Sequence, residues 1–218
     1  MKILVVSATE AEIAPLLQAI GIKNYVGDHL RICKRGRLDV DVLITGVGMT
    51  ATAFRMGKAL QGKYDLAFNF GLAGSFNPDI PPGGLVNIVQ DHFSELGAED
   101  GDAFLPLDRM GLGGAGEVMN TTEISNKVLE LIPKVCGITV NTVHGREESI
   151  KKVEARLHPN VESMEGAAFL YCCMQEKLPC AQVRAVSNLV ERRNREKWNI
   201  PLAVANLNEK ALELLDVF

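Results

Sequence analysis

The sequence predicts one α/β domain, residues 1–218, with a central mixed β-sheet flanked by helices. Three observations carry that expectation. Short runs rich in Ile and Val, such as Lys2–Ser7, are continuously apolar, as strands covered on both faces are. They alternate with segments whose apolar residues repeat at helical spacing, the order that packs helices onto a sheet. The 218 residues show no internal repeat and no low-complexity linker, and they suffice for one full core.

The elements follow in order. Lys2–Ser7 reads as a buried strand. Thr9 can cap a helix in which Ile13, Leu16, Leu17 and Ile20 share a face and Gly21 stops the run. His29–Lys34 and Leu38–Thr45 read as strands around a Lys-Arg-Gly-Arg turn, followed by a helix over Ala51–Leu60 and a buried strand over Asp65–Phe70. Pro81–Gly84 marks a turn before a strand at Leu85–Val89. Leu96–Gly116, with scattered glycines and little periodicity, reads as a long loop, the kind that forms a lid or a subunit contact. A helix at Glu123–Ile132, a strand at Ile138–Val143, a helix opening at Met164, a strand at Ala181–Ser187 and a closing helix at Pro201–Leu215 complete the reading.

Composition excludes several classes of function. Net charge is −4 and the basic residues are dispersed, so no nucleic-acid footprint is present. The densest basic run is Arg192, Arg193 and Arg195. No apolar run is long enough for a membrane span, and the apolar start Met-Lys-Ile-Leu-Val-Val is too short for a signal peptide. Cys33, Cys136, Cys172, Cys173 and Cys180 lack metal-ligand spacing and are odd in number, which fits reduced thiols in the cytoplasm. No metal ion or organic cofactor is expected.

The most informative stretch is Val161–Leu170, V-E-S-M-E-G-A-A-F-L. It sets Glu165 at the mouth of a segment that is otherwise small and apolar. A carboxylate there loses hydration, and the loss is severe unless a partner compensates. The plainer reading is a helix-start Glu in a capping box with Ser163. A second unusual segment, R184-A-V-S-N188, and a charged loop containing Trp198 favour a functional reading. G46-V-G-M-T-A51 also matches a dinucleotide-binding pattern, but it follows about the third strand, and the acidic residue about 20 positions on, Asp65, begins a strand instead of ending one. Gly46 and Gly48 are better explained by a tight turn and close helix-to-strand packing.

Taken in order, Glu12 after the first strand, G71-L-A-G74, S163-M-E-G-A-A168 and R184-A-V-S-N188 resemble the purine nucleoside phosphorylase and nucleosidase superfamily over essentially the whole chain. The chain is most similar to the hydrolytic branch containing the methylthioadenosine/S-adenosylhomocysteine nucleosidases. Its ending, S-N-L-V-E-R-R-N-R-E-K-W-N-I, is similar to that of the futalosine hydrolases, nucleosidases of menaquinone biosynthesis.

The resemblance implies a small-molecule nucleoside substrate, cleavage through an oxocarbenium-like sugar, and a homodimer whose loop near Phe104 helps close the neighbour's pocket. It implies Glu12 as general base for water, Arg184 as the residue that helps hold that water, Glu165 as acceptor of the ribose hydroxyls and Met164 as packing against the sugar. Phosphorolytic relatives carry basic residues where this chain has S7-A-T-E10 and F68-N-F-G71, so water is the expected nucleophile. Leu72 stands where the family has a small hydroxyl residue in its glycine loop. Asn188 stands where adenine-cleaving relatives have Asp. Its amide offers a donor but no titratable proton, which suits a 6-oxopurine such as hypoxanthine. Futalosine carries an aryl carboxylate beyond the ribose, and Arg146, Arg192, Arg193 and Arg195 are candidates to meet it. His144 is a candidate for contact with the base or the tail. The alternatives are a methylthioadenosine-type nucleosidase and a catalytically silent nucleoside-binding protein.

Overall fold

The structure is a computed structural model that describes residues 1–22, 24–26, 29–114 and 116–218. Its first half contains β1 (Lys2–Ser7), α1 (Glu10–Ala19), β2 (Asn24–Val26), β3 (Leu30–Arg35), β4 (Leu38–Ile44), α2 (Met49–Ala59), β5 (Leu66–Ser75) and β6 (Leu85–Phe93). Then come β7 (Gly97–Asp100), β8 (Ala103–Pro106), β9 (Glu117–Met119), β10 (Lys134–Thr139) and α3 (Glu147–Leu157). The last part is β11 (Val161–Ser163), α4 (Gly166–Gln175), β12 (Cys180–Leu189) and α5 (Ile200–Asp216).

The sheet is mixed and flanked by helices, as predicted. Its strands run β10-β6-β12-β5-β1-β4-β3-β2, and the short β11 pairs with both β10 and β5. That double pairing closes β5, β11, β10, β6 and β12 into a ring. β1, β5 and β12 run parallel, so the end of β1, the Gly71–Gly74 stretch of β5 and the end of β12 lie together. This is the carboxyl edge at which open α/β sheets hold ligands.

Alternation along β1 explains its unbroken apolar character. Ile3 and Val5 join a core cluster with Ile13 and Leu16 of α1 and Ala203, Leu207, Ala211 and Leu214 of α5. Leu4 and Val6 join another with Met56 of α2 and Phe169, Leu170 and Cys173 of α4. Both faces are covered, so both must be hydrophobic.

Several expected elements differ. Within Glu123–Ile132 only Leu129–Leu131 is helical, as a single 3₁₀ turn, because the Asn126 side chain accepts the amides of Val128 and Leu129 and diverts the backbone into a turn. The Leu96–Gly116 loop carries the β7–β8 hairpin, in which Phe104, Leu105 and Pro106 are half-buried in succession; Ala115 lies outside the described residues. The strand placed at Ile138–Val143 begins earlier and ends at Thr139. The helix placed at Met164 opens at Gly166, and α3 and β11 were not anticipated. The expected strand at Asp65–Phe70 continues through the glycine stretch to Ser75, because Gly71 and Gly74 leave room for neighbouring side chains within the sheet.

Candidate active site

A cleft of about 390 Å³ opens at this carboxyl edge. It is lined by Glu12, Leu72, Met164, Glu165 and Asn188, five of the residues expected at the site, together with Val143, His144, Glu162, Arg193 and Trp198. Arg184 lies behind the wall, fully buried.

Glu12 occupies the third position of α1. Thr9 caps that helix, and the two form a reciprocal capping box. One carboxylate oxygen of Glu12 accepts the Thr9 amide at 2.8 Å, the Thr9 hydroxyl at 2.9 Å and the Ser7 hydroxyl at 3.4 Å. The other accepts the backbone amide of Leu72 at 3.1 Å. Glu12 is therefore a tethered carboxylate at the cleft, not a freely solvated first-turn side chain. Leu72 contributes its main chain to this arrangement, while its side chain packs against the large core cluster.

Glu165 immediately precedes α4 and is 5 % exposed. Its side chain does not cap its own helix; Ser163 accepts the Gly166 amide at 3.3 Å instead. The Glu165 carboxylate accepts the Gly48 amide at 3.1 Å and the Arg184 guanidinium at 3.4 Å. Gly48 adopts φ +98°, a conformation that L side chains rarely take, and this is what the glycine pattern at Gly46–Ala51 provides. Close packing is not its reason, because a Cβ on Gly48 would meet nothing within 4 Å and one on Gly46 would make only an ordinary contact with Ala51 at 3.7 Å.

Arg184 is held on several sides. Beyond Glu165 it donates to Asn69 at 2.5 Å and to Gln182 at 3.2 and 3.3 Å. Gln182 donates to Asp91 at 2.9 Å, and Asp91 also accepts from Thr139 at 3.0 Å. Burial pushes the Asp91 carboxyl up to about 6, while its hydrogen bonds to Gln182 and Thr139 and the charge of Arg184 pull it back. Two glycines make the network possible. A Cβ on Gly71 would lie 2.2 Å from Arg184 Nη1 and 3.2 Å from Glu12 Oε1. One on Gly166 would lie 1.9 Å from Gln182 Oε1 and 2.3 Å from Asp91 Oδ2.

Asn188 reaches the cleft through an irregularity in β12, whose register against β5 shifts between Val186 and Asn188. The extra residue, Ser187, re-aims the strand end, as bulges beside ligand sites do. Ser187 donates to Asn188 Oδ1 at 2.8 Å, and Asn188 Nδ2 donates to the Leu189 carbonyl at 2.9 Å.

Among the arginines, Arg193 lines the cleft and sits over the Trp198 ring, 5.0 Å from its centroid. Arg195 also approaches Trp198, at 5.9 Å, whereas Arg146 pairs at 2.7 Å with the exposed Glu148. Sequence reasoning missed Glu162, which is 4 % exposed and accepts both the backbone amide and the ring Nδ1 of His144, at 3.0 and 2.6 Å. The available signal was a second carboxylate in V-E-S-M-E. It also missed Asn69, Gln182, Asp91 and the Gly48 amide, which meet the site only through the fold.

The phosphorylase superfamily model matches residues 2–216. A futalosine hydrolase of Streptomyces coelicolor is 32 % identical over 187 residues, covering 81 % of this chain and 79 % of the relative. One of Acidothermus cellulolyticus is 30 % identical over 178 residues, covering 77 % and 71 %. A 5′-methylthioadenosine/S-adenosylhomocysteine nucleosidase of Colwellia psychrerythraea is 28 % identical, covering 98 % and 94 %. Among solved structures, futalosine hydrolase of Helicobacter pylori superimposes with a TM-score of 0.84 at 15 % identity, covering 100 % of this chain and 98 % of the other, which shows a shared fold. With nearly its whole length matched by the family model, this chain belongs to the phosphorylase superfamily.

Proposed function

We propose that this protein is an N-ribosidic hydrolase that releases hypoxanthine from futalosine, yielding dehypoxanthine futalosine in menaquinone biosynthesis. The observation that carries the hydrolytic chemistry is that Glu12 and Glu165 face one cleft while the cation nearest Glu12, Arg184, is fully buried behind the wall and paired with Glu165. Among the described lining residues only Arg193 and His144 can carry positive charge. An incoming phosphate dianion would meet a carboxylate where water can meet a base. The futalosine hydrolases at 30–32 % identity support the substrate.

In this reading Glu12 takes a proton from water as its oxygen bonds to C1′ of the ribose. Glu165 accepts the ribose hydroxyls, and its negative charge stabilises the sugar as it becomes cationic. Met164 packs against the sugar. Arg184 holds Glu165 in place from behind and, through the space above Gly71, stands beside Glu12. Asn188 reads the 6-oxo group of the base. Arg193, on the Trp198 loop, meets the carboxylate of the substrate's tail. The partner in solution is a second copy of the chain. Val47 lines the cleft while 56 % exposed, and the β7–β8 hairpin does not line this chain's own cleft, so it is available to close another. Five free thiols support a cytoplasmic setting, and no helix among the described residues is long and apolar enough to cross a membrane.

A methylthioadenosine-type nucleosidase is the second reading, favoured by the match along 98 % of the chain to the Colwellia enzyme. Chromatography of the bases released from a nucleoside panel, with and without phosphate, separates the readings. Futalosine should yield hypoxanthine in phosphate-free buffer, with a sugar bearing a free anomeric hydroxyl. Release of adenine instead would establish the second reading. A ribose 1-phosphate product would overturn hydrolysis, and tight binding without turnover would leave a nucleoside-binding protein.

A further inference from the structure

The site described so far has a base for water and a clamp for the sugar, but it has no group that hands a proton to the departing purine. Asn188 cannot do this, because its amide has no titratable proton. Its Oδ1 accepts from Ser187 and one Nδ2 hydrogen goes to the Leu189 carbonyl, which leaves one amide donor to face the base but no proton to give up. A titratable pair does stand beside it. In the sheet, Gly74 of β5 is the register partner of Asn188 on one side and of Glu162 on the other. A Cβ on Gly74 would lie 3.4 Å from Asn188 Nδ2 and 3.5 Å from Glu162 Cγ. The two side chains thus converge over one glycine at the wall of the cleft.

Glu162 in turn holds His144. Its carboxylate accepts the His144 main-chain amide at 3.0 Å and the ring Nδ1 at 2.6 Å. The Phe76 ring meets the imidazole edge-on, with centroids 6.1 Å apart. Chain, ring and tautomer are therefore oriented together, with Nδ1 as a donor. Nε2 has no protein partner among the described residues, and His144 lines the cleft. Glu162 is 4 % exposed, and the ring N–H and main-chain N–H of His144 are what its carboxylate accepts in place of water.

We infer that His144, oriented by Glu162, is the general acid that protonates the leaving base. This inference rests on the reading of the cleft as a 6-oxopurine nucleosidase site. As the C1′–N9 bond breaks, its electron pair passes into the base, and the proton on His144 Nε2 moves to the N7–O6 edge of hypoxanthine. Water bonds to C1′ and gives a proton to Glu12. After product release, solvent returns a proton to His144 and removes the one on Glu12. Asn188 selects the base, and His144 makes it a better leaving group.

The test compares futalosine with its 7-methyl derivative, whose cationic base leaves as a neutral molecule without needing a proton. kcat/KM is measured for the wild type, His144→Gln, Glu162→Gln and the double variant. On futalosine, His144→Gln should lose about 10²–10⁴-fold, the usual contribution of a general acid. On the 7-methyl substrate its loss should be at least tenfold smaller, and turnover there also shows that the variant is folded. Glu162→Gln should follow the same pattern, and the double variant should be no worse than the larger single loss, because the two act as a unit. Equal losses on both substrates would make the pair structural and overturn the inference, as would undiminished futalosine cleavage by His144→Gln. If the wild type releases no hypoxanthine at all, the assignment of the base itself fails, an outcome distinct from either of these.

Discussion

Asn208 Nδ2, on α5, donates to the main-chain carbonyl of Glu12 at 2.8 Å, while its Oδ1 accepts the amide of Leu16 at 2.9 Å. Those two backbone groups would pair with each other in an unbroken helix. Pro15, inside α1, has no amide to give to the preceding turn, and Ile13 leaves helical geometry at φ −124° and ψ 15°. The Asn208 amide fills the gap, so the last helix of the chain holds the kinked turn that carries Glu12.

Replacing Asn208 by Leu should therefore act at a distance. It leaves a buried donor and acceptor unpaired, at a cost of about 1–3 kcal/mol each. The urea midpoint should fall and kcat should drop with it, as the Glu12 turn loosens. A stability change under about 0.5 kcal/mol, with normal kcat, would mean that Asn208 does not hold this turn.

Glu12→Gln retains the shape of the capping box and removes the base. Turnover should fall by about 10²–10⁴-fold with substrate affinity little changed, and the melting temperature should drop modestly, because the Gln amide keeps one acceptor for Thr9 and loses the one for Leu72. Stopped-flow kinetics and calorimetry together check this, and near-normal turnover would reduce Glu12 to a helix cap.

Glu165→Gln should weaken both binding and turnover. Its hydroxyl contacts tighten as the sugar becomes cationic, so kcat should suffer more than the dissociation constant. Loss of affinity alone would contradict an electrostatic role in the transition state.

Asn188→Asp should lower the ratio of kcat/KM for 6-oxo over 6-amino nucleosides. An ionised Asp presents only acceptors to the acceptor O6 of hypoxanthine, and a mismatched polar contact in a buried site is worth several kcal/mol. An unchanged ratio would show that another residue reads the base.

Asp91 makes stability depend on pH in a defined direction. Its folded-state value, about 6, lies above the ordinary 3.8, so between these values the folded protein binds more protons than the unfolded chain. Stability should therefore decline as pH rises from about 4 to about 6, by on the order of 3 kcal/mol from this group. Denaturation at a series of pH values should show the slope, and Asp91→Asn should flatten it.

The sequence by itself determined the fold class, the first strand and its capped helix, the closing helix and the positions of Glu12, Glu165 and Asn188. The elements and Glu165 follow from local signals, an apolar run, a capping Thr, a helical repeat and a carboxylate misplaced among small residues, whereas Glu12 and Asn188 stand out through the family resemblance. Only the tertiary structure decided what those side chains touch. Gly48 and Glu165 are 117 residues apart, and Glu12 and Asn208 are 196 apart, yet each pair shares a hydrogen bond. Glu162 drew no role from the sequence; the pairing of β11 with β5 places it opposite Gly74, beside Asn188. The helix expected at Glu123–Ile132 was lost to the side chain of Asn126, whose amide also donates to the carbonyl of Leu214 at 3.0 Å. Periodicity records which face of a segment is buried, because burial selects residue type. It cannot record which distant backbone group a buried polar side chain must satisfy, because that partner is set by chain topology.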